Sequence, residues 1–369
     1  MRPADESALA GAIRAATGPL HIRGGGTRPV GRPVAGEVLE TGGLTGITLY
    51  EPGSLTLVAR AGTPLAEIEA TLAADGQRLP FEPPDWGGLL GAKGASTIGG
   101  VVAANASGPR RIMAGACRDS LIGVRFVDGT GSVVKNGGRV MKNVTGYDLV
   151  KLLAGSWGTL GVLTEVSFKV LPIPESAATV ILRGQAAGAA VQAMAAATGS
   201  PFEVSGAVWD GDDVLLRIEG FKDSVAYRAG RLTGLLAPFG GVEVEEGRAT
   251  VDARWAALRD VTALGATPGD VWRLSVKPSD APGIIAHMGA EAVQLDWAGG
   301  LIWARVPPGT DLRDRIGAFA GHATLMRASP EVRARIAPFQ PEPAPLAAIA
   351  AGLRAKFDPR GILNPGLMG

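Results

Sequence analysis

HIRGGGTRP at residues 21–29 and PFEPPDWGGLLGAKGASTIGGVVAANASGPRR at residues 80–111 decide the fold. A glycine within regular structure costs about 0.5–1 kcal/mol relative to alanine, so three adjacent glycines, Gly24, Gly25 and Gly26, require a reason. Either the main chain takes angles that only glycine accepts, or something bulky lies against it. Successive backbone N–H groups in such a turn converge on an anion, and a pyrophosphate suits that nest. Thr27 adds a hydroxyl, and Arg23 or Arg28 adds charge. A Rossmann turn is disfavoured, because Pro29 stands where the last glycine of G-x-G-x-x-G would fall. A Walker A loop is absent, since Lys93 is followed by Gly94 rather than Ser or Thr. The second stretch adds Gly99, Gly100 and Gly108 with the neutral polar groups Ser96, Thr97 and Asn105. A third glycine-rich element, GSWGTLGVLTE at 155–165, runs into a strand. Together they describe a lining for one elongated, phosphate-containing ligand.

The chain has 369 residues, a length that suits two domains. Hydrophobic residues make up 46% and charged residues 19%, which is globular rather than disordered. A formal net charge of +1 supplies no field for collecting nucleic acid or an anionic membrane. The single cysteine, Cys117, excludes an internal disulfide and a cysteine-built iron–sulfur or metal site within the chain. His21, His287 and His322 leave little for a protein-only metal centre, and none is expected. No apolar run reaches the roughly 18 residues of a membrane span, and MRPADESALA lacks a signal core. A soluble, cytosolic chain without direct membrane insertion is expected.

Residues 5–16 have the spacing of an amphipathic helix, and LHIR that of a strand. LTLVAR at 55–60 reads as a strand, followed by a helix with Thr63 as N-cap and Pro64 at its first position. Residues 120–135 form a hairpin about Asp128-Gly129, and 147–154 a short buried helix. In 162–170, Val162, Val166, Phe168 and Val170 share one face, a half-buried strand. A boundary falls near residue 173, where prolines interrupt the pattern before a small-residue helix at 184–198. An α+β unit follows to about 325. Trp297 and Trp303 are expected to share a strand face, and the tail FDPRGILNPGLMG to lie extended across another surface.

RGGGT, STIGG followed by GPR, GTLGVLTE and the terminal DPRGILNPG resemble, in order, the FAD-binding domain of vanillyl-alcohol-oxidase-type flavoproteins. EPPDWGG, VMKNVTGYDL at 140–149, SDAP, DWAGG and GHAT resemble more closely the FAD-binding subunits of bacterial glycolate oxidases. The resemblance spans almost the whole chain. It implies an α+β fold with a two-part PCMH-type FAD-binding domain (1–172), an α+β cap (173–325), and a C-terminal segment (326–369) packing back on the first domain. It implies FAD lined by Arg23, Gly24, Gly25, Gly26 and Thr27, then by Ser96, Thr97, Gly99, Gly100, Asn105 and Gly108. Gly161, Val162 and Thr164 would follow, with Asn364 beside the flavin ring. The implied partners are a catalytic FAD subunit and an iron–sulfur subunit, with a small 2-hydroxy acid as substrate of the complex.

The departures matter. No histidine stands within the glycine loops, so FAD is expected to be non-covalent. Trp157 replaces an acidic residue that many relatives carry before GTLG. Catalytic relatives have a GH-x-GDGN-x-H type segment, whereas this chain has GHATLMRAS at 321–329. If it oxidised a 2-hydroxy acid itself, His322 would serve as base, and Arg273 or Arg305 would take the carboxylate. Lys142, Asn143, Tyr147 and Asp148 form a dense polar group facing flavin, partner or one another. The leading reading is an electron-transferring FAD subunit. The alternatives are a self-sufficient FAD-dependent dehydrogenase, a structural subunit that has lost FAD, and a nicotinamide-using flavin reductase.

Overall fold

The computed structural model describes residues 1–138 and 146–369, so Lys142 and Asn143 lie outside the described residues. The chain opens with the helix Glu6–Ala15, started by the Asp5 side chain accepting from the N–H of Ala8, with Leu9 and Ile13 buried. Then come β1 (Leu20–Arg23), β2 (Glu37–Glu40), β3 (Ile47–Glu51), β4 (Thr56–Arg60), β5 (Gln77–Arg78), β6 (Leu121–Val127), β7 (Val133–Gly137), β8 (Val162–Lys169) and β9 (Leu171–Pro172). β1 and β2 pair in parallel, β5 pairs with β9, and the rest form a five-stranded antiparallel sheet ordered β3-β4-β8-β6-β7.

Two local expectations are corrected. Pro64 takes the N-cap position of the helix Leu65–Ala74, while the Thr63 hydroxyl donates to the Arg60 carbonyl at 2.7 Å. Thr63 therefore ties a turn rather than starting the helix. β8 is buried on both faces, because it is central and its pairing with β6 shifts register between Arg125 and Phe126. Such a bulge re-aims side chains. Leu163, Val166, Phe168 and Val170 join the main core, whereas Val162 packs with Leu9 and Ile13 beneath the first helix.

The second half supplies β10 (Ser176–Leu182), β11 (Val204–Trp209), β12 (Val214–Gly220), β13 (Val242–Glu246), β14 (Asp270–Val276), β15 (Ala292–Asp296), β16 (Leu301–Val306) and β17 (Gly321–Arg327). They form an eight-stranded sheet ordered β13-β10-β12-β11-β15-β16-β14-β17. Trp272, Leu274, Ile302 and Ala304 on one face pack with the helices Ala187–Thr198, Lys222–Leu236 and Ala281–Met288. The opposite face sends Val271, Leu301 and Trp303 into the core of the first half, where Trp303 meets Trp86 edge-on at 5.6 Å. Trp297 does not share a strand with Trp303. It sits in the turn Trp297–Gly299 between β15 and β16, yet reaches the same core.

The tail is not uniformly extended. A helix, Ala344–Phe357, precedes it, and Phe357 belongs to that helix. Beyond it the chain threads into the first half. Leu20 N–H donates to Ile362 O at 2.7 Å, Asn364 N–H to Leu20 O at 3.0 Å, and Arg360 to the Gly129 carbonyl at 2.9 Å.

A buried ionic cluster joins the two halves. Arg217 of β12, 1% exposed, donates to both oxygens of Glu82 at 2.8 and 2.9 Å. Arg110 forks onto Glu219 at 2.9 and 2.7 Å, and Arg78 reaches the same carboxylate at 2.7 Å. Burial opposes ionisation, but Arg217, Arg110 and Arg78 hold Glu219 well below the usual carboxylate range. Removing one member of such a cluster strands a buried charge at a cost of about 3–5 kcal/mol. Arg217→Ala is accordingly expected to lower stability by roughly that amount in urea denaturation. Arg217→Met, tested with Glu82→Gln in the same chain, should lose much less.

Candidate flavin site

The first glycine run leaves β1, and the second precedes and enters the helix Ile98–Ala103, whose start is capped by Thr97 accepting from the N–H of Gly100. The two loops interlock. A β-carbon on Gly25 would overlap the Ala95 carbonyl, one on Gly24 would lie 2.7 Å from Thr97 Oγ1, and one on Gly99 would lie 2.7 Å from the Ala61 carbonyl. Gly26 has a φ of 69°, the left-handed region. The glycines are thus needed by the chain's own packing before any ligand arrives. The N–H groups of residues 24–28 find no acceptor among the described residues, so they are available as donors.

Residues 24–28 line a cavity of about 360 Å³. Of the residues predicted to hold the cofactor, Arg23, Gly24, Gly25, Gly26, Thr27, Thr97, Gly99, Gly100, Gly161, Val162 and Asn364 line it. Ser96, Asn105, Gly108 and Thr164 do not, and each has a structural task. Ser96 Oγ accepts from Arg28 at 2.9 Å, and Asn105 Oδ1 from the Arg118 N–H at 3.1 Å. The Gly108 carbonyl accepts from Trp297 Nε1 at 3.1 Å, and Thr164 Oγ1 donates to Glu6 at 2.6 Å. Asn364 lines the cavity with its amide already spent: it accepts from Ile22 N–H and donates to the Trp157 carbonyl, both at 2.8 Å. It staples the returning tail to β1 and to the 155–165 loop.

Arg28 is the lining residue that motif spacing undervalued. Its guanidinium donates to Ser96 and to the Pro84 carbonyl at 2.8 Å, while its Nε is buried without a partner. Burial pushes its pKa down to about 10, against the weaker pull of Asp85. His21 also lines the cavity, its basicity lowered by burial and then by Arg23. N–H groups without acceptors, bare main chain and a partly buried guanidinium fit a dinucleotide carrying a pyrophosphate.

The candidate catalytic residues separate. Arg273 on β14 and His322 on β17 lie on the same sheet face, since Ser275 pairs with His322 and Arg273 pairs with Thr324. Arg305 lies two rungs away, opposite Val271, and contacts Glu291 at 3.4 Å. Partial burial, then Arg273 and Arg111, lower the basicity of His322. Tyr147 is 88% exposed, and Asp148 caps the short helix Leu149–Leu153. Cys117 is buried, and burial raises its thiol pKa.

Comparison with known proteins places this architecture. An FAD binding domain family matches residues 1–137. The fold matches alkyldihydroxyacetonephosphate synthase with a TM-score of 0.71 at 15% identity, over 99% of this chain and 76% of that one. This is a PCMH-type flavoprotein fold, and FAD is its cofactor. The glycolate oxidase subunit GlcE of Escherichia coli strain K12 is 37% identical over 353 residues, 95% of this chain and 92% of the relative. The chain belongs to the GlcE family of oxidoreductase subunits. The glycolate oxidase subunit GlcD of Bacillus subtilis strain 168 is 33% identical over 177 residues, 47% of this chain and 36% of that protein. A mitochondrial D-2-hydroxyglutarate dehydrogenase of Arabidopsis thaliana is 37% identical over 153 residues, 41% of this chain and 26% of that one.

Gly25→Ala is expected to purify with a sharply reduced flavin-to-protein ratio, because its methyl has nowhere to go. Gly88→Ala, whose methyl meets nothing within 4 Å, should retain the wild-type ratio in the same absorbance measurement. A second expectation concerns Asp296, whose pKa burial raises to about 7 although its carboxylate accepts from the Trp297 N–H. A carboxyl whose folded pKa exceeds its unfolded one stabilises most below the unfolded pKa, and loses that contribution as pH rises through about 7. Asp296→Asn should therefore gain stability over wild type between pH 5 and pH 8, read as the difference in denaturation midpoint at about those values.

Proposed function

We propose that this chain is the FAD-binding subunit of a glycolate-oxidising dehydrogenase complex. It holds FAD non-covalently as an electron carrier beside a catalytic flavoprotein subunit and an iron–sulfur subunit. The observation that carries the reading is the cavity beside the interlocked loops, lined by residues 24–28 whose N–H groups have no acceptor among the described residues, and by the partly buried Arg28. The loop residues Arg23, Gly24–Gly26 and Thr27, with Thr97, Gly99 and Gly100, would hold the diphosphate. Gly161 and Val162 would border the nucleotide side. Bound flavin supplies reversible acceptance of two electrons, one or both at a time.

The chain's own residues favour relay over independent turnover. Proton abstraction from a 2-hydroxy acid needs a base within reach of the hydroxyl and a cation for the carboxylate. His322 is the one histidine on the inner sheet face, and its neighbouring arginines depress its affinity for the proton it would have to accept. The relatives support dependence on partners: GlcE and GlcD are both, by name, subunits of glycolate oxidase. With a single cysteine, onward iron–sulfur transfer has to use another chain. No helix among the described residues is long and apolar enough to cross a membrane. The proposed place of work is the cytoplasm, with any membrane contact made through partners.

A self-sufficient FAD-dependent 2-hydroxy-acid dehydrogenase is the second reading, favoured by the shared sheet face of Arg273 and His322. An anaerobic visible spectrum before and after adding glycolate separates them. The relay reading expects an oxidised flavin spectrum that glycolate leaves unchanged until the catalytic partner is added. Rapid bleaching of the isolated chain overturns it in favour of the dehydrogenase. A chain that stays colourless after reconstitution with FAD overturns both.

A further inference from the structure

Outside the flavin cavity, two arginines from opposite halves of the chain converge on one indole. Arg111, at the start of the short helix Arg111–Ala114, places its guanidinium carbon 4.2 Å from the centre of the Trp297 ring. Arg273, in the middle of β14, lies 5.1 Å from the same ring and 5.7 Å from that of Trp303. The two cations repel across this site. Burial and then Arg111 push the pKa of Arg273 down to about 10, and burial lowers that of Arg111.

Among the described residues neither arginine has a carboxylate partner, and Asp119 only weakly offsets the lowering at Arg111. The interface arginines Arg78, Arg110 and Arg217 each meet a carboxylate. Among the described residues, neither Arg111 nor Arg273 donates to one, and residues 139–145 (RVMKNVT) contain no Asp or Glu. Arg273 Nε is buried without any partner. Asp296 is the nearest acid acting on Arg273, but burial favours its neutral form and its side chain is engaged with the Trp297 N–H at 2.6 Å. Buried polar groups left unpaired in a native structure are few, and each calls for an explanation.

A second observation points to the same spot. Trp297 and Ala298 have φ of 53° and 55°, consecutive left-handed residues neither of which is glycine. Such residues are strained, and strain of this kind gathers at ligand clamps. Here it is held by Asp296 on the backbone and by Trp297 Nε1 donating to the Gly108 carbonyl at 3.1 Å. Its effect is to place the indole ring 4.2 Å from the Arg111 guanidinium carbon and 5.1 Å from that of Arg273.

We propose that Arg111 and Arg273 form a two-armed clamp for a small carboxylate, with Trp297 as its floor. A planar carboxylate matches the guanidinium fork and neutralises charge that the fold leaves unpaired. His322, on the same sheet face as Arg273, is a hydrogen-bonding group for a substituent beside the carboxylate. Arg305, engaged with Glu291, is outside the clamp. The clamp does not depend on the relay reading, because it needs only the two arginines and the indole.

The test is a tryptophan-fluorescence titration of the FAD-loaded chain with glycolate at low salt and neutral pH, with the flavin band recorded in the same cuvette. Saturable quenching is expected, with affinity at least tenfold weaker in Arg273→Gln and in Arg111→Gln, partly restored in Arg273→Lys, and unchanged in the surface variant Arg231→Gln. Unchanged flavin absorbance certifies that each variant is folded. If Arg273→Gln fails that criterion, the half-exposed Arg111→Gln decides. A merely linear response of the wild type overturns the clamp, as does unchanged affinity in the folded variants. Saturable binding with bleaching leaves the clamp standing and removes the relay reading. Saturable binding without bleaching is the result expected if both hold.

Discussion

The buried ionic cluster of Glu82, Arg110, Arg217, Glu219 and Arg78 is the constraint on which the rest of the molecule depends. Charges withdrawn from water are tolerated only when their geometry is met on every side. The cluster therefore admits one placement of the eight-stranded sheet against the first half. Glu82 lies in the EPPDWGG segment that leads to the second glycine loop, and Arg217 and Glu219 lie on one strand of the cap sheet. Registering these groups fixes where β14 and the Trp297 turn come to rest over the segment 108–111. Gly108 is part of the same joint: a side chain there would strike the Glu82 carbonyl.

The glycines carry two demands at once. Interlocking of the 24–26 and 94–100 loops forbids β-carbons for reasons internal to the fold, and the same bare loop keeps N–H groups without an acceptor among the described residues. Phosphate-binding loops and tight loop-to-loop contacts ask for the same residue. A loop that lost its ligand would still keep several of these glycines. What separates a binding site from a relic here is the unspent hydrogen-bonding capacity: the free N–H groups and the partly buried Arg28.

The chain thus has two electropositive places of different design. The flavin cavity presents main-chain donors with one partly buried guanidinium, suited to a diphosphate. The Trp297 site presents two guanidiniums beside one indole, suited to a single carboxylate. The first is built within the N-terminal half and closed by the tail through Asn364. The second exists only where the halves meet. An FAD-binding site and the proposed carboxylate clamp can accordingly coexist in one chain.

Local sequence determined the elements whose cause is local. Glycine density located the cofactor loops, alternation placed β8, and the Asp128-Gly129 turn marked the β6–β7 hairpin, because backbone freedom and side-chain period act within a few residues. The bulge that sends Val162 and Val166 into different cores was not legible, since a bulge is set by the partner strand. Nor was the task of Thr63, which depends on a turn folded against it. Ser96, Asn105, Gly108 and Thr164 sit in the expected motifs yet are not among the residues that line the cavity, for a motif records which chain segments meet and not which residues border the space between them. The pairing of Arg111 with Arg273 over Trp297 is the furthest from legibility. The residues are 162 and 24 apart along the chain, taking Arg111 to Arg273 and Arg273 to Trp297, and only the docking of one half on the other brings their charges into one place.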